Sequence, residues 1–202
     1  MDLLKSKRAG DYIAEQIQNE ILSGRMKSGQ PLRQELLAES LGTSRIPVRE
    51  AFQILESQGM VQRLATRHIV VADFREAVIR EIYGMICEVE LRAISQIRNK
   101  NIERQWPEAQ QLDEMSFHQF ISRNLTNEYF VRLLDNARSS YIRFVVYECA
   151  EGNEHTEHGK KRRELLAHIV KNFTMEEKFV SEDLKKYYED LTVCILTERG
   201  EL

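Results

Sequence analysis

Arg45 and Arg49 stand four residues apart, the spacing that sets two side chains on one face of a helix. Each guanidinium is a planar fork suited to bidentate contact with guanine O6/N7 or with a phosphate. Just ahead of them, Thr43 and Ser44 carry hydroxyls able to donate to phosphate beside the positive end of a helix beginning there. Arg33 opens the preceding segment, and Arg67 and His68 lie at the bend between two short apolar runs. A single arginine on a helix is usually a solvated charge. The setting of tight turn, Ser44, Arg45, Pro47 and Arg49 is what points the pair at nucleic acid. A second constellation lies downstream. Glu114 and His118 are four apart, so a carboxylate and an imidazole face the same way on a helix and are able to hold a divalent cation. The same two groups are also the only acid–base pair an enzyme reading has to work with. No glycine-rich phosphate loop or nucleophile elbow accompanies them, so the sequence predicts no enzyme.

The elements needed to position the first constellation are legible in the punctuation of the chain. Gly10, Gly24, Gly29, Gly42 and Gly59, with Pro31 and Pro47, fall in the first 60 residues; the remaining 142 hold four Gly and one Pro. Tyr12, Ile13, Ile17 and Ile21 recur at helical spacing up to Gly24. Residues 27–31 read as a turn, and Gln34 to Leu41 as a short helix with Leu37, Ala38 and Leu41 inward. After Gly42-Thr43, Ser44 is expected to cap a helix running to about Gln58, its side-chain oxygen accepting a backbone N–H. Pro47 would be the third helical residue, where its missing N–H breaks no intrahelical bond. Val48, Ala51, Phe52 and Leu55 form the apolar face. Val61–Leu64 and Arg67–Val71 read as strands joined at Ala65-Thr66. This order predicts a winged helix-turn-helix.

From Asp73 onward the pattern is helical. Asp73-x-x-Glu76 and Thr174-x-x-Glu177 look like capping boxes for two long helices, the first reaching about Asn99. Further helices are expected over 108–123, 128–150 and 157–171, with Pro107 at a helix start. The predicted fold is mainly α: a winged helix-turn-helix over residues 1–72 and an antiparallel helical bundle over 73–202. Charge divides in the same way. Residues 1–72 carry 10 basic and 8 acidic side chains, whereas the whole chain has a net charge of −3, so a basic head is hidden in a mildly acidic protein. There is no apolar run of membrane-spanning length, and the polar, basic first ten residues do not read as a secretory signal. Cys87, Cys149 and Cys194 are far apart and expected to be reduced, mostly buried thiols of a cytoplasmic protein.

The stretches Ile21-Leu22-Ser23-Gly24, Pro31-Leu32 and Leu37-Ala38, then Leu41 to Ala51, Leu55-Glu56 and Gly59-Met60-Val61 resemble the GntR family of bacterial transcription regulators. The resemblance implies DNA contact by Arg45 and Arg49, with Ser44 and Arg33 beside them. The family's wing turns on an Arg-Gly pair, and His68 stands here at the glycine position. The helical part resembles the effector-binding domain of the FadR type, known as FCD, through Glu114-x-x-Phe117-His118 and Asn127, where the family has Asp at the first position. That family completes a metal site with two later histidines. Arg162 falls where the third ligand belongs, and Tyr187 and Tyr188 lie near the fourth. The segment between Glu90 and Glu114 is about one helix shorter than usual. Glu114 and His118 are thus expected to be a remnant pair with no divalent metal, and with Arg162 to line a pocket for a small carboxylate effector. His155 and His158 read as solvated and His168 as a core histidine. The implied function is a dimeric repressor on palindromic operator DNA, under effector control. The alternative is a ligand-blind helical scaffold that keeps DNA binding.

Overall fold

The computed structural model describes residues 8–98, 113–153, 155–173 and 177–202. Contacts divide the chain into two units, Met1–Arg75 and Glu76–Leu202. The division falls three residues beyond the expected one because Phe74 is buried and its N–H donates to Ser28 Oγ at 2.9 Å, tying this stretch to the first unit.

In the first unit, α1 (Ala9–Leu22) packs on α3 (Arg45–Ser57). Ile13, Ala14, Ile17, Ile21 and Leu22 are buried on one helix, and Val48, Ala51, Phe52 and Leu55 on the other. Tyr12, expected in that stripe, is exposed. α2 (Gln34–Ser40) lies between them in sequence. Its last turn explains the sharp bend into α3. Gly42 takes φ 59°, a left-handed conformation open to glycine, its N–H donates to Glu39 O at 3.1 Å, and Thr43 N–H donates to Ala38 O at 3.0 Å. Leu41, expected inward, is exposed at this bend.

The wing is a three-stranded antiparallel sheet in the order β1-β3-β2, with β1 at Pro31–Leu32, β2 at Val61–Arg63 and β3 at Ile69–Val71. Leu32 pairs with Ile69, and Val61 with Val71. The sequence reading placed Pro31 in a turn and missed β1, since two residues carry no alternation to detect. The hairpin loop is Ala65-Thr66-Arg67. Arg67 N–H donates to Leu64 O and Leu64 N–H to His68 O, both at 2.8 Å, and Arg67 takes φ 65°. This is a turn followed by one left-handed residue. The position that would favour glycine is therefore held by Arg67, one residue before the His68 on which the sequence drew attention.

In the second unit, α4 (Glu76–Arg98) and α8 (Glu157–Lys171) both pack on α9 (Glu177–Glu198). The capping box expected at Asp73 is absent. Asp73 instead accepts from the backbone and guanidinium of Arg75, and Glu76 pairs with Arg80. Thr174, and the start of the helix expected from 108, lie outside the described residues. α5 (Glu114–Arg123) is capped by Asp113, which accepts from Ser116 N–H at 2.8 Å. α6 (Glu128–Ala137) is capped by Asn127, so the residue matched to the family's pattern ends a loop here.

The single helix expected over 128–150 is interrupted. α6 passes into one π-helical turn, Arg138–Ile142, then α7 (Arg143–Tyr147). A uniform helical repeat from Leu134 and Ala137 would bring Tyr141 and Glu148 inward. Phe144 and Val145 are buried on either repeat, but the wider turn gives the core Ile142, Val146 and Cys149 in place of Tyr141 and Glu148. Tyr83 Oη donates to the Tyr141 carbonyl at 3.0 Å in this turn. The three cysteines are free and buried, as read from their spacing.

Candidate nucleic-acid interface and buried ion cluster

In the first unit, Ser44 occupies the N-cap of α3 with extended backbone but makes no capping hydrogen bond with its side chain, contrary to expectation. Pro47 sits at the third helical position as expected. Ser44, Arg45 and Arg49 are exposed at this helix end and Thr43 is half-buried. Two residues that sequence reasoning passed over fix the geometry. Gln34 Nε2 donates to the Arg45 carbonyl at 2.7 Å, tying α2 to the first turn of α3. Glu35 holds the Arg45 guanidinium at 3.3 Å in an exposed ion pair. Arg33 is exposed at the N-cap of α2, and Arg67 on the hairpin loop and His68 immediately after it are exposed. Two guanidinium forks and a helix N-terminus are thus presented together to solvent, the arrangement that suits phosphate and base edges.

In the second unit, Glu114, His118 and Arg162 do gather, but not around open space. Arg162 has no exposed surface. Its Nε donates to Glu114 Oε2 at 2.9 Å and Nη2 to Glu114 Oε1 at 3.1 Å; Nη1 reaches Asp190 Oδ2 at 3.2 Å and Cys194 Sγ at 3.6 Å, and Nη2 also donates to the Gly152 carbonyl. A Cβ on Gly152 would clash with the Val145 carbonyl, so glycine is what lets the loop present that oxygen. Beside this fork, His118 Nδ1 lies 2.6 Å from Glu90 Oε1 and its Nε2 lies 2.9 Å from Tyr187 Oη. Tyr187 donates to Glu114 Oε2 at 3.0 Å and Tyr188 to Glu90 Oε2 at 2.7 Å. Both ring nitrogens of His118 are thus engaged, Nδ1 with a carboxylate and Nε2 with the phenol oxygen whose O–H is given to Glu114.

The electrostatics follow from burial and these partners. Burial works against the charged form of Arg162, but the hydrogen bond and charge of Glu114 hold its pKa above the ordinary value. Burial raises Asp190, yet hydrogen bonds from His158 and Lys161 and the charge of Arg162 keep its carboxyl below the usual range. Burial pushes Cys194 up to about 11 and both Tyr187 and Tyr188 well above 10. His158, expected to be solvated, is half-buried in the first turn of α8, its Nδ1 2.9 Å from Asp190 Oδ1. His168 is half exposed and paired with Asp183 rather than buried in the core. Glu90 and Asp190 were missed in the sequence. The signal was an acid on an apolar stripe: Glu90 between Ile86 and Ile94, Asp190 between Tyr187 and Cys194.

The donor set does not suit the divalent metal of the FCD resemblance. Glu114 faces a guanidinium, both nitrogens of His118 are engaged, and a cation of fixed charge stands at the third ligand position. Among the described residues one other trio, His158, Asp190 and Cys194, gathers ligand atoms. Its shared carboxylate already takes Lys161 at 3.1 Å and Arg162.

The fold and the basic helix end define a winged helix-turn-helix protein with a helical second unit. Residues 10–71 match the family model "Bacterial regulatory proteins, gntR family". Over its first unit the chain is therefore similar to the bacterial regulatory proteins of that family. It is similar to the gluconate operon transcriptional repressor of Bacillus licheniformis, 25% identical over 161 positions that span 71% of this chain and 66%, just under two-thirds, of the relative. It is 36% identical over 66 residues to a probable D-xylose utilization operon transcriptional repressor of Paenarthrobacter nicotinovorans, covering 31% and 29% of the two chains. Two solved structures share the fold: Lar, described as controlling expression of the Listeria monocytogenes agr system (TM-score 0.60, 18% identity, 96% of this chain and 99% of that one), and McbR/YncC of E. coli (0.57, 19%, 94% and 98%). No helix among the described residues is long and apolar enough to cross a membrane.

Proposed function

We propose that the protein is a cytoplasmic, sequence-specific transcription regulator that binds palindromic operator DNA as a homodimer. The observation that carries this reading is the pair Arg45 and Arg49 at the exposed N-terminal end of α3, held in place by Gln34. The two arginines read base edges in the major groove. Thr43, Ser44 and Arg33 hold phosphates beside them, and Arg67 and His68 hold phosphate from the wing. The domain boundaries and the FCD type of the second unit belong to the same proposal.

A homodimer is supported by α4. Gly84 lies exposed at its middle with nothing near the position a Cβ would take, beside Met85, which is 56% exposed. An antiparallel pairing of two α4 helices about Gly84 sets Arg80 opposite Glu88 of the second copy and Glu76 opposite Arg92, a self-complementary pattern suited to a two-fold axis.

For the second unit, the ligand-blind reading is favoured over a repressor that senses a small carboxylate at Glu114, His118 and Arg162. Arg162 already holds two carboxylates of its own chain. Selection of bound sequences from a random DNA pool tests the main reading. The expected product is a palindrome with half-sites about one helical turn apart; recovery of no enriched sequence overturns it.

A further inference from the structure

We infer that Arg162 is a permanent internal cation of the helical unit, doing with a guanidinium what an exchangeable metal ion does in a carboxylate and histidine site. The inference does not depend on DNA binding. A planar guanidinium has five N–H donors and no acceptor, and here each nitrogen is matched: Nε to Glu114, Nη1 to Asp190 and Cys194, Nη2 to Glu114 and the Gly152 carbonyl. These partners come from α5, α9 and the loop ahead of α8, so one side chain joins three separate stretches of chain to its own helix. A bound cation does the same work by gathering anionic ligands from several elements.

The charge arrangement supports this. Glu90, Glu114 and Asp190 are three buried carboxylates. Glu114 and Asp190 both touch the guanidinium, and His118 Nδ1 lies against the third, Glu90. Lys161 approaches Asp190 from the surface. A divalent ion added to this cluster meets a fixed positive charge at its centre and ligand atoms already committed.

The test uses the full chain and the metal ions themselves. Thermal melting is followed on the protein as purified, after dialysis against chelator, and again with Zn2+ or Mn2+ in tenfold excess, with calorimetric titration of the same ions. Wild type is expected to melt at one temperature under all three conditions and to bind no stoichiometric ion. A chelator-induced fall in Tm, or one ion bound per chain with a rise in Tm, overturns the inference. Arg162→Met leaves Glu114 and Asp190 buried without their cation. It is expected to lower Tm by roughly 6–20 °C, and the double variant with Glu114→Gln to recover part of that fall. An Arg162→Met protein that melts like wild type, or a double variant that simply sums the two single losses, overturns it. If Arg162→Met does not fold, Arg162→Lys, which keeps the charge but not the fork, is expected to fold with a lower Tm that chelator leaves unchanged. A wild-type Tm in Arg162→Lys counts against the five-donor role.

Discussion

Arg45 rests on Glu35 in a pair whose two side chains are 67% and 59% exposed. Such a pair is weak, ~0.2–1 kcal/mol, so it parks the guanidinium without locking it. Glu35→Gln is expected to tighten operator binding up to about fivefold, read by mobility shift at fixed salt. Arg45→Ala and Arg49→Ala are each expected to lose ~1–3 kcal/mol of sequence-specific affinity with unchanged far-ultraviolet circular dichroism. Unaltered operator affinity in both would refute the base-reading role. Arg67 makes a different trade. Its left-handed backbone costs about 1 kcal/mol relative to glycine, so Arg67→Gly is expected to raise Tm while the salt dependence of DNA affinity falls by about one phosphate contact. The exposed placement of Arg45 and Arg49 at the start of one helix was legible from the tight turn, Ser44 and Pro47 around them. Glu35, Gln34 and the conformation of Arg67 were not, because they depend on contacts between α2 and α3 and on a hairpin register.

At the scale of elements, the turn between α2 and α3 rests on Gly42. Gly42→Ala forces a Cβ into the left-handed region, for an expected loss of about 1 kcal/mol, measured by denaturant melting. The face of α4 offers a sharper test. Arg80→Glu is expected to shift the protein toward monomer in sedimentation, and adding Glu88→Arg to restore the dimer; no change in either variant removes α4 from the interface. Helix starts at Glu157 and strand pairs around Val61 and Val71 were legible because their apolar spacing is local. The π turn at Arg138–Ile142 was not, because a one-residue change of phase shows only against the surface it packs on. The Asp73 box failed for a related reason: a closer partner, Arg75, takes the carboxylate.

Across the whole molecule, the buried groups set how stability varies with pH. The Asp190 carboxyl is depressed, so it contributes stability that is complete above its unfolded value near 4 and lost as pH falls through the lower folded value. Tyr187 and Tyr188 are raised, so their contribution is complete below about 10 and lost as pH rises through the folded value. Melting scans are expected to show Asp190→Asn flattening the acid limb and Tyr187→Phe the alkaline limb. The saturated Arg162 also bears on what the protein can report. A bound metal or organic acid makes a domain's shape depend on the cell's supply of that compound, and hence carries news of it. A cation written into the gene is present at one per chain in every molecule from synthesis onward. If Arg162 is that internal cation, the helical unit gains the certainty of being assembled and, at that position, gives up the capacity to be informed.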